Sequence, residues 1–321
     1  MRADWVAGTT RARALRTRCL GAEGIGEVAA SSTLDEALRH LAATGYRRDV
    51  SPGATTAEAQ RAVTSTLLWH LRVLAGWQPA VGARAVRALA AGFEISNTEQ
   101  HLRDLTSDTN RPGTGARHPR FTPYGLGTLA IAWPRLVRAR TPVELRSALA
   151  SSAWGDPGGD SPAAVVSGMR ISAAVRLADA VPDAARWAAA RLALQVAREF
   201  FVVGRRLPDV SLLRAARLLG TGAVGAGAYP DFRQALPPTA GWLLDDIDEA
   251  ADLWRAETRW WETVARDGRA LLRPSGFGPR PVVGAVALLS ADAWRTRGAL
   301  ELAARGGGTE RWTVEVPDEP G

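Results

Sequence analysis

The acidic run Asp245-Asp246-Ile247-Asp248-Glu249 is the sharpest chemical pattern in this chain. On a helix, Asp245, Asp246 and Glu249 would stand at i, i+1 and i+4, where carboxylate oxygens can gather around Mg²⁺ and hold a diphosphate. A plainer reading competes with it. An acid-rich first turn is favoured by the helix dipole, and the run follows Pro237-Pro238 and Gly241, as such a turn would. No second metal motif accompanies it, because Asn97-Thr-Glu-Gln-His101 lacks ligand spacing. The four histidines, His40, His70, His101 and His118, stand far apart without an HxxxH pair. Cys19 is the only cysteine, which excludes an intrachain disulfide and a zinc site built on several thiolates.

Other catalytic patterns fail on composition. The chain has no lysine, so all 40 of its basic residues are arginine and a P-loop G-x-x-x-x-G-K is impossible. Gly220-Thr-Gly-Ala-Val-Gly225 matches G-x-G-x-x-G by letter but has no strand before it, and reads as a flexible linker. A G-x-S-x-G nucleophile elbow is absent, and Ser275 beside Gly276-Phe-Gly278 does not supply one. His70 and His101 fall on predicted helices with no triad partners, so a structural role is the reading for both. Cys19 reads as a buried thiol on an amphipathic helix. Twelve tryptophans are numerous for this length. Trp254, Trp260 and Trp261 read as helix packing, with a ligand platform or a foot on a membrane ring as the alternatives. The basic clusters Arg11-Ala-Arg-Ala-Leu-Arg-Thr-Arg18 and Arg205-Arg206 read as solvated faces, with a partner or a lipid headgroup as the alternative.

These residues must be carried by helices. At 321 residues, 46% hydrophobic and 23% charged, the chain is long enough to bury a core without staples. Its net charge of +7 is spread along the whole length, unlike the concentrated arm or face of a nucleic-acid binder. Neither a signal peptide nor a membrane span is expected, since the apolar run Val282–Leu289 is far short of the ~20 residues a span needs. Apolar residues at Ala59, Val63, Leu67, Leu71 and Leu74 predict a helix over 55–74. Further helices are predicted over 80–105, from Pro182 to Gly204, and over 245–267. Only Trp312–Val316 alternates as a strand would. Pro- and Gly-rich breaks at Asn110–Gly127, Gly155–Pro162 and Gly220–Pro230 punctuate the chain.

The first and third breaks divide the chain into near-equal thirds, and the thirds resemble one another. Asp35-Glu-Ala-Leu-Arg-His-Leu-Ala-Ala-Thr-Gly-Tyr46 aligns with Val143-Glu-Leu-Arg-Ser-Ala-Leu-Ala-Ser-Ser-Ala-Trp154. Glu144 lies 108 residues after Glu36 (144 − 36), and Leu149, Ser152 and Trp154 follow Leu41, Thr44 and Tyr46 at the same offset. Phe232-Arg-Gln-Ala-Leu-Pro-Pro-Thr-Ala-Gly-Trp242 is a weaker third copy. Each copy is a short helix ending in a hydroxyl residue followed by an aromatic. The predicted organisation is all-α, with units over 1–110, 111–219 and 220–321.

These motifs resemble the C (or d) subunit of archaeal/vacuolar-type ATPases. Arg11 and Arg13 match the A-R-x-R pattern of that family's first helix, and Thr44 and Tyr46 match its Thr-x-Tyr turn. Phe93-Glu94-Ile-Ser-Asn97 with Arg103 resembles its D-x-x-N…R signature, with Glu where Asp is usual. Trp154 and Trp242 are the aromatics of the second and third copies. Pro281-Val-Val-Gly-Ala-Val-Ala-Leu-Leu289 and Trp294–Arg305 resemble its last helix pair, with Ser290 and Asp292 near where the family has Tyr and Glu. In the middle third, Leu207-Pro-Asp-Val-Ser-Leu-Leu-Arg-Ala-Ala-Arg217 lacks the Asn, so the chain resembles a divergent member.

The resemblance implies three helical units about a pseudo-threefold axis, forming a funnel. It implies a non-catalytic adapter without cofactors, cytoplasmic and peripheral to the membrane. Its partners would be central-stalk subunits and the proteolipid of the membrane rotor ring, and its role torque transmission for proton or sodium transport. Arginines at the funnel mouth are expected to meet acids of the stalk. The alternatives are a stand-alone helical scaffold and a Mg²⁺-dependent terpenoid-synthase-like enzyme using Asp245, Asp246 and Glu249.

Overall fold

The structure, a computed structural model, describes residues 3–109, 122–273 and 275–307. The described residues form helices and no strand. The expected strand Trp312–Val316 lies outside them, as does most of the break that begins at Asn110. In chain order the helices are α1 (Val6–Ala14), α2 (Gly21–Ala30), α3 (Leu34–Ala42), α4 (Thr56–Gly76), α5 (Ala80–Leu89), α6 (Ala91–Thr109), α7 (Trp133–Leu136) and α8 (Pro142–Ala150). There follow α9 (Pro162–Ala180), α10 (Ala185–Ala197), α11 (Asp209–Leu219), α12 (Thr221–Val224), α13 (Tyr229–Ala235), α14 (Pro238–Gly241), α15 (Leu253–Leu272) and α16 (Pro279–Ala304).

The chain divides into two compact units, residues 1–74 with 268–321, and residues 75–267. In the first, α16 packs against α1, α2 and α3. Its buried positions there include Val282, Val286, Leu289, Ala293 and Leu300, an apolar face at helical spacing. In the second, α9 is the shared partner of α5, α6, α10 and α11. One core there gathers Leu102, Leu136, Leu145, Leu149, Trp154 and Met169, and another gathers Leu192, Val196, Leu219, Phe232 and Leu244.

Local chemistry accounts for the short helices that begin the first two copies of the repeat. Thr33 Oγ1 accepts the backbone N–H of Glu36, and Glu36 Oε2 accepts the N–H of Ser32 at 2.9 Å. Thr141 and Glu144 repeat this reciprocal box, Glu144 Oε2 accepting the N–H of Arg140 at 2.8 Å. Each box satisfies N–H groups that a helix start leaves without intrahelical partners.

Several predicted helices differ from those observed. The stretch 80–105 is two helices, α5 and α6, meeting at Ala90. The helix begun near Pro182 opens into a π-helical turn at Arg198–Val202, which turns Phe201 onto Tyr229 and Phe232, at 5.7 and 5.6 Å between ring centroids. Asp245–Glu249 precedes α15 in a turn, with Asp246 at φ 60°, so the acids lack the i, i+4 helical register. Gly220–Gly225 is no linker, because α12 lies within it and packs on α11 and α13. Cys19 caps a short 3₁₀ turn (Leu15–Arg18) in extended conformation.

Where α15 and α16 lie together, glycine sets the distance. A Cβ on Gly284 would stand 2.6 Å from the carbonyl oxygen of Gly268 and 3.0 Å from Leu271 Cβ. Backbone cannot swing aside as a side chain can. Gly284→Ala is therefore expected to cost about 1–3 kcal/mol by overpacking, read as a lower urea midpoint, and an unchanged midpoint would show that the crossing yields.

Candidate functional site

The residues singled out by the repeat assemble around two buried carboxylates. Thr44 ends α3 by donating Oγ1–H to Leu41 O at 2.8 Å while accepting Tyr46 N–H at 3.2 Å. This points the Tyr46 side chain inward, where its hydroxyl donates to Asp292 Oδ2 at 2.7 Å. Asp292, on α16, also accepts the backbone N–H groups of Leu20 and Gly21, each at 3.0 Å, from the start of α2. One carboxylate thus ties a long helix, a helix N-terminus and an aromatic turn. Burial outweighs these three donors and holds the Asp292 pKa above the ordinary carboxylate value.

The second copy repeats the arrangement with different residues. Ser152 donates to Leu149 O at 2.8 Å and accepts Trp154 N–H at 3.1 Å. The Trp154 indole Nε1–H then donates to Glu94 Oε1 at 2.8 Å. Glu94, on α6 and 1% exposed, accepts Ile131 N–H at 2.5 Å and Ala132 N–H at 2.7 Å, at the start of α7. Tyr46 and Trp154, paired by sequence at an offset of 108 (154 − 46), therefore have the same job.

Asn97, one turn along from Glu94, clamps the loop at Tyr124. Its side chain donates to Tyr124 O at 2.9 Å and accepts Tyr124 N–H at 2.7 Å. The third copy has no such carboxylate. Trp242 donates to Thr239 O in its own turn and stacks against Arg186 at 4.4 Å. Arg103 stays on the surface of α6, paired to Glu99 at 3.2 Å. Arg13 reaches Gly276 O at 2.9 Å and lies 5.8 Å from the Phe277 ring centroid. Trp260 serves packing, its indole donating to Trp187 O at 2.9 Å, whereas Trp254 is exposed.

Arg11 lies elsewhere, on a cavity of about 430 Å³ that it shares with Arg18, Arg47, Arg48, Trp69 and His70. Sequence reasoning separated these residues, reading the arginines as a solvated face and His70 as structural. Burial, reinforced by Arg18, Arg11 and Arg48, pushes the His70 pKa down from 6.5 to about 4. Such a group is uncharged in the fold at a pH where the unfolded chain already binds its proton. Stability is expected to fall as pH drops from 6.5 towards 4, by at most about 3 kcal/mol. The measurement is the difference between the native chain and His70→Gln over that window, and parallel profiles would refute it.

The metal reading loses its geometry. Arg259 donates to the Asp245 carbonyl, and Asp248 pairs with Arg233 at 2.7 Å. Among the described residues, no three His, Cys, Asp or Glu side chains converge as a metal site requires. Nor is any described helix long and apolar enough to cross a membrane. Asp292, which the sequence offers only as standing near a Glu of the resembling family, is the only acid in Pro281–Ala299 and thus conspicuous on an apolar helix.

A search of curated proteins finds no match to the chain. The family model described as ATP synthase (C/AC39) subunit matches residues 9–160, the stretch that holds the first two copies of the repeat. Over that stretch the all-helical chain is similar to the ATP synthase (C/AC39) subunit family.

Proposed function

We propose that the chain is a non-catalytic adapter in the central stalk of a rotary V/A-type ATPase, seated between the stalk and the membrane rotor ring. The observation that carries this reading is the family match over residues 9–160, within which the first two copies of the repeat lie. The two carboxylate locks support it mechanically. A part that transmits torque must not shear, and each lock joins three elements through charge-assisted hydrogen bonds in a close-packed interior. On this reading the three copies form three units, over 1–110, 111–219 and 220–321, arranged as a funnel. Stalk subunits enter its mouth, the ring proteolipid lies beneath, and the chain works at the inner membrane face as a peripheral subunit. Arginines at the mouth meet acids of the stalk, so that salt weakens assembly.

The test is a pull-down of the tagged full chain from its native membranes in low and high salt, with co-purifying proteins identified. Recovery of a central-stalk subunit and a ring proteolipid in low salt, with loss in high salt, is expected. A chain recovered without ATPase subunits would refute the adapter and leave a stand-alone scaffold.

A further inference from the structure

A cavity lies beside α4. Arg11, Arg18, Arg47 and Arg48 are among the residues that line it, and no acidic residue does. Only Arg48 has an acid beside it among the described residues, Asp49 at 3.8 Å, and it also lies over the Trp69 ring at 4.7 Å. Arg18, Arg47 and Arg48 are exposed, so solvent screens their mutual repulsion, and their shared positive charge favours an anion among them. The gathering has a specific cause. Gly45 lets the turn after α3 rest on the backbone of Arg18, where a Cβ would stand 2.6 Å from the Arg18 carbonyl oxygen. That contact brings Arg47 and Arg48 to the side of the cavity where Arg18 stands.

Two atoms of the wall lack partners. His70 is 7% exposed, yet its Nδ1 has no hydrogen bond, and neither has the buried Nε of Arg11. Buried polar atoms ordinarily find partners, and an unmet one costs about 1–3 kcal/mol. Both atoms belong to residues that line the arginine-rich cavity.

We propose that this cavity binds a phosphate group, as inorganic phosphate or pyrophosphate or as the headgroup of a phosphorylated lipid. A single carboxylate offers two oxygens, too few for four forked donors and an imidazole. A phosphate offers a tetrahedral set of oxygens and up to two charges. The wall carries no carboxylate base, and Thr17 and Thr44 already donate to backbone carbonyls. This inference stands apart from the adapter reading, since it rests on the cavity alone.

The full chain is titrated with inorganic pyrophosphate at constant ionic strength, by calorimetry and by following the imidazole C2–H resonances of its four histidines. In parallel, flotation is measured with phosphatidylcholine vesicles containing phosphatidylinositol phosphate, against vesicles containing phosphatidylserine. Saturable binding to pyrophosphate, to the phosphoinositide vesicles or to both is expected, with His70 the histidine whose resonance moves in a soluble-anion complex. The pyrophosphate arm identifies a soluble anion and the vesicle arm a headgroup. Arg18→Ala/Arg47→Ala, at two exposed residues, is expected to weaken whichever binding is seen by about tenfold or more without moving the apo melting temperature. Arg16→Ala/Arg39→Ala, exposed but off the cavity, is expected to leave it within about twofold. Absence of binding in both arms, or equal weakening by the two double variants, overturns the proposal.

Discussion

Glu94→Ala is expected to destabilise the unit formed by residues 75–267 by about 3–5 kcal/mol, the range for removing one partner from a buried charged network. The substitution leaves three donors without an acceptor, the N–H groups of Ile131 and Ala132 and the indole N–H of Trp154. All three lie where water does not compensate, because Glu94 is 1% exposed and Trp154 likewise. Glu94→Gln is expected to cost less, about 2 kcal/mol, because one amide oxygen survives while its NH₂ confronts a backbone donor. Denaturant unfolding of both variants checks the order, with amide exchange at Ile131 and Ala132 as the local readout. A Glu94→Ala variant within about 1 kcal/mol of the native chain would remove the lock from the account of this fold.

Asp292→Ala is the counterpart in the other unit, with an expected loss of about 3 kcal/mol from orphaning Leu20 N–H, Gly21 N–H and the Tyr46 hydroxyl. Its pKa shift affects the comparison. Because burial raises the Asp292 pKa, the native unit binds this proton more tightly than the unfolded chain does. The stability it contributes is complete below the unfolded value of 3.8 and is lost as pH rises through the raised native value. Burial disfavours the ionised carboxylate more than its three donors favour it, so the loss on truncation above the native titration is expected to be smaller than for Glu94. The sharper test is a double-mutant cycle. Tyr46→Phe alone is expected to cost about 1–2 kcal/mol, but in the Asp292→Ala background it removes a hydroxyl already orphaned and costs close to nothing. Additive losses would mean that Tyr46 and Asp292 are not coupled.

The two locks bear on how such a chain conserves its mechanics while its letters drift. Tyr46 with Asp292 and Trp154 with Glu94 share no side chain, yet each places a hydrogen-bond donor on an aromatic body against a carboxylate on a long helix. The hydroxyl residue that sets the turn is Thr44 in one and Ser152 in the other, with the same pair of hydrogen bonds. In the third copy Trp242 is partly exposed, and the aromatic cluster around Phe201 fills the core instead. Packing there replaces the polar tie.

The sequence by itself determined the all-helical class, the copies at an offset of 108 (144 − 36), the family resemblance and the local chemistry of each copy. Hydroxyl-ended turns are legible because their partners lie within four residues, inside the reach of one helical turn. Tertiary structure alone decided what each aromatic meets, since Asp292 is 246 residues from Tyr46 and Glu94 is 60 from Trp154. It also decided that Asp245–Glu249 is a turn, because acids next to Pro and Gly fit a helix start or a bend equally well and neighbouring arginines select between them. The basic stretch from Arg11 to Arg18 could be read as a surface face, but not as the wall of a cavity. Its other wall comes from the turn at Gly45 and from α4, and no local spacing records which distant segments the core brings together.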